Sequence, residues 1–201
     1  LNTPAHNPTG YSLTDEDWQG VAEVLQKHSA GKKVALVVDI AYIEFSSHDH
    51  DPRNFLPILE SLPESVLPLI SHSISKTYTL YGMRCGALVC MAKTKEIAEE
   101  FKQVCEFSSR ASWSNCARAP QMIVAKIYAD PKLKARVDEE REGFRDMLLR
   151  RGKAFETAAR EVGLEIVPFD AGFFASIPCA DPDAVSAELE KEGIFLVPLA
   201  K

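Results

Sequence analysis

No apolar run in this sequence approaches the roughly 20 residues needed to cross a bilayer, and its first residues lack the charged-then-apolar pattern of an export signal. The expectation is a soluble, cytoplasmic protein. Positive charge is also scarce, with 23 Lys and Arg against 29 Asp and Glu and a net charge of −6. Nucleic acids and anionic membrane surfaces are gripped mainly through clustered Lys and Arg. Neither is an expected partner, whereas a small anionic ligand in a pocket remains open. Cysteine is sparse: Cys85, Cys90, Cys105, Cys116 and Cys179 are odd in number, form no C-x-x-C pair, and mostly stand in apolar surroundings. That pattern argues against a disulfide framework or a zinc site and for reduced thiols used as small hydrophobes. Internal repeats and low-complexity segments are missing too.

What is present suits a globular chain. With 201 residues, 46% hydrophobic and 26% charged, the chain can bury a core in one or two domains. Thr14 with Asp17 resembles a capping box, and Trp18, Val21, Ala22 and Leu25 follow at helical spacing, which predicts a helix over 14–29. Three apolar runs, "VALVVDI" (34–40), "SVLPLIS" (65–71) and "GALVCM" (86–91), read as strands buried on both faces of a mostly parallel sheet. Helices are expected over 94–108 and 116–129. A long charged helix follows from Asp130-Pro131 to about Val162, weakened by Gly143 and Gly152. A helix of that length commonly links two domains, which divides the chain into 1–130 and 131–201. Beyond it, "LEIVPF", "FFASIP" and "IFLVPL" look strand-like around a helix capped by Asp181, a small α+β unit. The fold class is therefore α/β, with helices on both faces of the larger sheet. Both ends read as cut: "LNTPAHNPTG" opens without Met on a strand end, and "GIFLVPLAK" stops on an apolar run.

The chemistry concentrates in "ISHSISKTYTLYGMRCGALV" (70–89). Lys76 stands among Ser73 and Ser75, and Arg84 follows between Gly82 and Gly86. A reactive amine beside a held phosphate calls for such a set, although a lone S-x-S-K also occurs in ordinary polar loops. Asp39 ends an apolar run, where an unpaired carboxylate is costly; it either meets a cationic partner or caps the turn that follows. Asn7 suits a turn in N-P-T-G equally well. His6 reads as a satisfied core histidine, and Tyr78, Tyr81 and Trp113 as packing groups. "HDHD" (48–51) offers an H-x-H pair, but in a polar segment before Pro52 it reads as a solvated loop, and no metal is expected there.

Taken together, "HNPTG" (6–10), "DIAY" (39–42), "SISK" (73–76) and "GMRCG" (82–86) resemble, in order and spacing over nearly the whole chain, the motifs of the class I aminotransferases, which are fold type I pyridoxal-phosphate enzymes. "RASWSN" (110–115) is similar to a segment of the aspartate and aromatic aminotransferase branch. The resemblance implies pyridoxal 5'-phosphate as cofactor, with Lys76 forming the Schiff base and Arg84 and Ser73, assisted by Ser75, holding the phosphate. It pairs Asp39 with the ring nitrogen and places Tyr42 and Asn7 at the phenolic oxygen. Arg110 is implied to reach a neighbouring subunit's site and read a substrate's side-chain carboxylate, in a homodimer acting on amino acids and 2-oxo acids. The family's glycine-rich phosphate loop, the ring stacked on the cofactor and the arginine for the α-carboxylate fall outside this sequence. A pyridoxal-phosphate-dependent C–S lyase shares most of these residues, and a non-catalytic cofactor-binding regulatory domain could keep them as well.

Overall fold

The computed structural model describes residues 1–49 and 51–199. Its centre is a three-stranded sheet in the order β1 (Val34–Asp39), β2 (Val66–Ser73), β3 (Gly86–Cys90). The β-branched run of β1 pairs in parallel with β2, from Val34 opposite Val66 to Asp39 opposite Ser71. A parallel bridge between Asn2 and Asp39 lays the first residues along the other side of β1. β3 joins β2 antiparallel, Leu69 facing Cys90 and Ser73 facing Gly86. The sheet is thus mixed. A parallel return needs a crossover of a dozen or more residues, usually helical. Residues 74–85 hold one turn of helix and a 3₁₀ turn, and they bring the chain straight back.

One face of the sheet is covered. α1 (Asp15–His28) begins at the expected capping box: the Thr14 hydroxyl accepts from Asp17 N–H at 3.2 Å, and the Asp17 carboxylate accepts from Thr14 N–H at 2.9 Å. Trp18 and Ala22 on its buried face join Leu36, Val38, Ile43, Val66 and Ile70 with Phe55, Leu59 and Leu62 from around α2 (Leu56–Ser61). Trp18 and Phe55 stack at 5.1 Å between centroids. Fully burying one such side chain contributes about 1.5–3 kcal/mol, so this cluster anchors the sheet. The expected burial on both faces does not hold within the described residues. Alternate β1 residues are buried and exposed, and Val37, Leu88 and Val89 are 45%, 48% and 50% exposed.

α3 (Ile74–Thr77), which was not expected, lies between β2 and β3; after the sheet come α4 (Lys95–Ser112), α5 (Arg118–Ala129), α6 (Pro131–Glu161) and α7 (Pro182–Lys191), close to the expected spans. Asp130 caps α6 by accepting from Lys132 and Leu133 N–H at 2.9 and 3.2 Å, and Asp181 caps α7 by accepting from Ala184 N–H at 3.0 Å. α6 runs unbroken through both glycines. Gly152 is needed there, because a Cβ would lie 2.2 Å from the Phe169 ring.

Three strand expectations fail. Residues 164–169, 173–178 and 194–199 form no ladder; Val167 N–H to Ser176 O at 2.9 Å is an isolated backbone contact between the first two. Apolar composition alone supplies no pairing edge, and a strand exists only with one. The first two segments and the turn between them pack instead on the amino-terminal loop: Gly10 O accepts from Asp170 and Ala171 N–H at 2.9 and 3.0 Å, and Ser176 Oγ donates to Pro8 O at 2.8 Å. The five cysteines are all free. Cys116 and Cys179 are exposed, which is not the position of a small hydrophobe. No described helix is long and apolar enough to cross a membrane.

Candidate active site

The strand ends gather most of the expected residues. Asp39 is the last residue of β1, held between backbones: its N–H donates to Leu1 O at 2.7 Å, and its carbonyl accepts from Thr3 N–H at 3.0 Å. Its carboxylate Oδ1 accepts from Ala41 N–H at 3.0 Å, a bond within the turn that follows β1. Tyr42 follows in a buried position, packed with Ala5 and Ala171. Burial pushes its phenol above the ordinary tyrosine range, and the nearby Asp39 carboxylate adds to this, while the Asn7 amide beside its hydroxyl pulls the other way. Asn7 is fixed through its own N–H, which donates to Asn2 Oδ1 at 2.7 Å.

Lys76 lies in α3, directly after the end of β2. Its Nζ stands 3.6 Å from the centre of the Tyr81 ring and 5.3 Å from that of Tyr42. Removal from water lowers its pKa, and the Arg84 guanidinium lowers it further. Arg84 holds a left-handed backbone, φ 50° and ψ 67°, and donates from Nη1 to Tyr81 O at 3.1 Å. That conformation is uncommon for a residue with a side chain. Ser73 precedes α3 and makes no side-chain cap to it. Ser75 is buried, and its N–H and hydroxyl meet Cys85 O at 3.3 and 3.5 Å, while Cys85 N–H meets its Oγ at 3.4 Å. Ser75 therefore joins the lysine segment to the arginine segment.

Arg110 stands apart. It lies in the last turn of α4 and donates from Nη1 to Ser114 Oγ at 2.5 Å. Among the described residues it shares no hydrogen bond or ion pair with Asp39, Tyr42, Lys76 or Arg84. Two aromatic groups carry more than the packing expected of them, or were not anticipated. Tyr81 is 57% exposed and lies against the lysine amine, not in a core. Phe173 meets Tyr42 at 5.6 Å and Phe45 at 4.8 Å between centroids. No local spacing could have announced Phe173, because its partners are remote in the chain. His6 is satisfied within its own turn, with Nδ1 2.8 Å from Thr9 Oγ1. Trp113 is exposed and Tyr78 bonds the Tyr128 hydroxyl at 3.2 Å. The H-x-H pair of the sequence includes His50, which lies outside the described residues.

The gathered groups are an amine whose proton affinity is lowered by burial and the Arg84 charge, a carboxylate, a phenol beside an amide, and a guanidinium with a nearby hydroxyl. Such a set can hold an anionic carbonyl compound covalently and address its ring on two sides. An aminotransferase from Anaerococcus prevotii matches with a TM-score of 0.94 and 38% identity, covering 100% of this chain and 49% of that one. The aromatic-amino-acid aminotransferase of Burkholderia pseudomallei, solved covalently bound to pyridoxal phosphate, matches with a TM-score of 0.81 and 27% identity, covering 98% and 49%. In sequence, the aromatic-amino-acid aminotransferase of Pseudomonas aeruginosa is 31% identical over 149 residues, 74% of this chain and 36% of its own length. The chain spans about half the length, or less, of the curated relatives it matches. The family of class I and II aminotransferases matches residues 1–200. That match runs over nearly the whole chain, and the chain belongs to the class I and II aminotransferases.

Proposed function

We propose that the protein carrying this chain is a pyridoxal-phosphate-dependent aminotransferase that moves the amino group of aspartate or an aromatic amino acid to a 2-oxo acid such as 2-oxoglutarate. The observation that carries this reading is Lys76, a lysine drawn out of water with Arg84 beside it and two tyrosine rings around its amine. The residues fit the cofactor: Lys76 would bind its aldehyde, Arg84 and Ser73 its phosphate, Asp39 its ring nitrogen, and Tyr42 with Asn7 its phenolic oxygen. When bound, pyridoxal phosphate supplies an electron sink for the charge that develops at the substrate's α-carbon.

The chain's own residues then have separable tasks. Lys76 Nζ would take the proton from the substrate α-carbon and pass it to the cofactor carbon that carried the aldehyde, work that needs an amine deprotonated near neutral pH. Arg84 favours that state and anchors the phosphate. Asp39, fixed by its backbone bonds at the end of β1, would face the ring nitrogen. Ser75 assists by keeping the lysine and arginine segments in register. The division into a cofactor-binding part, 1–130, and a linking helix with part of a smaller domain, 131–201, belongs to the same reading. So does a homodimer in which Arg110 serves the partner's site.

The test is a panel of aspartate, glutamate, phenylalanine and tyrosine on the intact protein with 2-oxoglutarate as acceptor. Transfer that requires the acceptor and vanishes in Lys76→Ala supports the reading. Release of a 2-oxo acid and a thiol from a cysteine conjugate without any acceptor would make it a lyase instead.

A further inference from the structure

A second cluster of chemically able side chains lies away from the lysine. The loop after the 3₁₀ turn at Ile43–Phe45 presents His48, and α6 brings Glu142 and Asp146, one helical turn apart, to the same place. His48 Nε2 is 2.8 Å from Asp146 Oδ1, and Nδ1 is 3.4 Å from Glu142 Oε1. A neutral imidazole has one N–H and one lone pair. It can donate to only one of these carboxylates, and its other nitrogen then turns a lone pair toward a carboxylate oxygen. A shared cation makes all three groups compatible, whether a metal ion or the second ring proton of an imidazolium, and Glu142 Oε1 is also met by Arg145 Nη1 at 3.3 Å.

The loop is held in this position independently of the histidine. Arg145, between the two carboxylates on α6, donates from Nε to Ser46 O at 2.7 Å and from Nη2 to Ser47 O at 2.6 Å. Ser46 and Ser47 are buried. Ser47 Oγ accepts from Asp49 N–H at 3.2 Å and donates to its carboxylate at 3.0 Å, which closes the loop on itself. The loop therefore keeps His48 facing α6. One donor atom from each of the three side chains lies within 4.8 Å of the other two.

We propose that His48, Glu142 and Asp146 bind a divalent transition-metal ion of the zinc class. One imidazole nitrogen and two carboxylate oxygens supply the protein ligands, and water completes the shell at these half-exposed side chains. Imidazole among the ligands suits zinc, cobalt or nickel better than calcium or magnesium, which take oxygen. The ion would tie the segment that follows Tyr42 to the long helix α6, joining two stretches of chain far apart in sequence.

The experiment uses the intact protein, stripped with a chelator and titrated calorimetrically with Zn²⁺, with the thermal midpoint followed in parallel. One Zn²⁺ per chain and a midpoint that rises with Zn²⁺ are expected. His48→Ala, Glu142→Gln and Asp146→Asn should each weaken binding by at least ~10-fold, since even outer-shell partners of a metal commonly contribute that much. Far-ultraviolet circular dichroism verifies that each variant is folded, and the absorption of bound Co²⁺ should change when His48 is lost. Uptake undiminished in all three variants, or none in the parent protein, overturns the proposal. So does a midpoint that responds to acidification through His48 but not to Zn²⁺, because the shared cation is then a proton.

Discussion

At the scale of single residues, the proposed chemistry turns on the proton on Lys76. Burial and the Arg84 charge both disfavour the ammonium, so the folded pKa lies below that of an ordinary lysine and the free amine is more abundant at a given pH. Arg84→Gln removes one of these effects and raises the pKa, which lowers the amine fraction. Capture of pyridoxal, trapped with borohydride, should then need a higher pH in the variant than in the parent protein. Pyridoxal carries no phosphate, so Arg84's anchoring role does not enter, and an unchanged pH profile would show that Arg84 does not act on the lysine. For Asp39, Ala substitution should leave the cofactor bound while turnover falls by orders of magnitude, and Glu should be milder. Near-normal turnover in Asp39→Ala would reduce the carboxylate to the cap it makes on Ala41 N–H. Asp39, Tyr42, Lys76 and Arg84 could be nominated from the sequence because each sits in a short contiguous motif. The Tyr81 face under the amine and the Phe173 ring on Tyr42 were not, since no residue spacing encodes how a turn folds back or which remote segment arrives.

Secondary-structure elements were readable where their ends carry local signals. Thr14, Thr94, Asp130 and Asp181 each accept a backbone N–H at a helix start, and the predicted helices lie close to these positions. The direction of β3 and the loop state of the runs after Gly163 depend on which edges are present to pair with, and apolar composition does not carry that. The two glycines of α6 separate local from tertiary control. At Gly143 an added Cβ would meet nothing within 4 Å, so Gly143→Ala should stabilise by roughly 0.5–1 kcal/mol through helix propensity alone. Gly152 faces Phe169, whose ring is also pressed against Gly10 and cannot yield to one glycine without crowding the other. Gly152→Ala should therefore destabilise by about 1–3 kcal/mol despite the better propensity. Urea unfolding midpoints of the two variants, moving in opposite directions, check this.

Across the whole molecule, the covered face of the sheet lies under α1 and α2, while Val37, Leu88 and Val89 face outward. Arg110 belongs to this scale, because its proposed partner is a substrate in a second subunit. Losing a desolvated charge pair there should lower kcat/KM for aspartate by roughly 30-fold to a few thousand-fold in Arg110→Ala. Phenylalanine, with no side-chain carboxylate, should lose far less; equal losses for both donors would take Arg110 out of substrate reading. The pairing of β1 with β2 has a consequence for changes in chain length. Asp39 is pinned by Leu1 and Thr3, so deletions inside β1 must be absorbed on its amino-terminal side. Removing Val37 alone would turn Leu36 outward and draw Ala35 into its place, because strand residues alternate between faces. Removing Val37 and Val38 together would put Leu36 and Val34 into the vacated inner positions and keep the core apolar. Along this strand, an even length change spares the buried face, and an odd one inverts it.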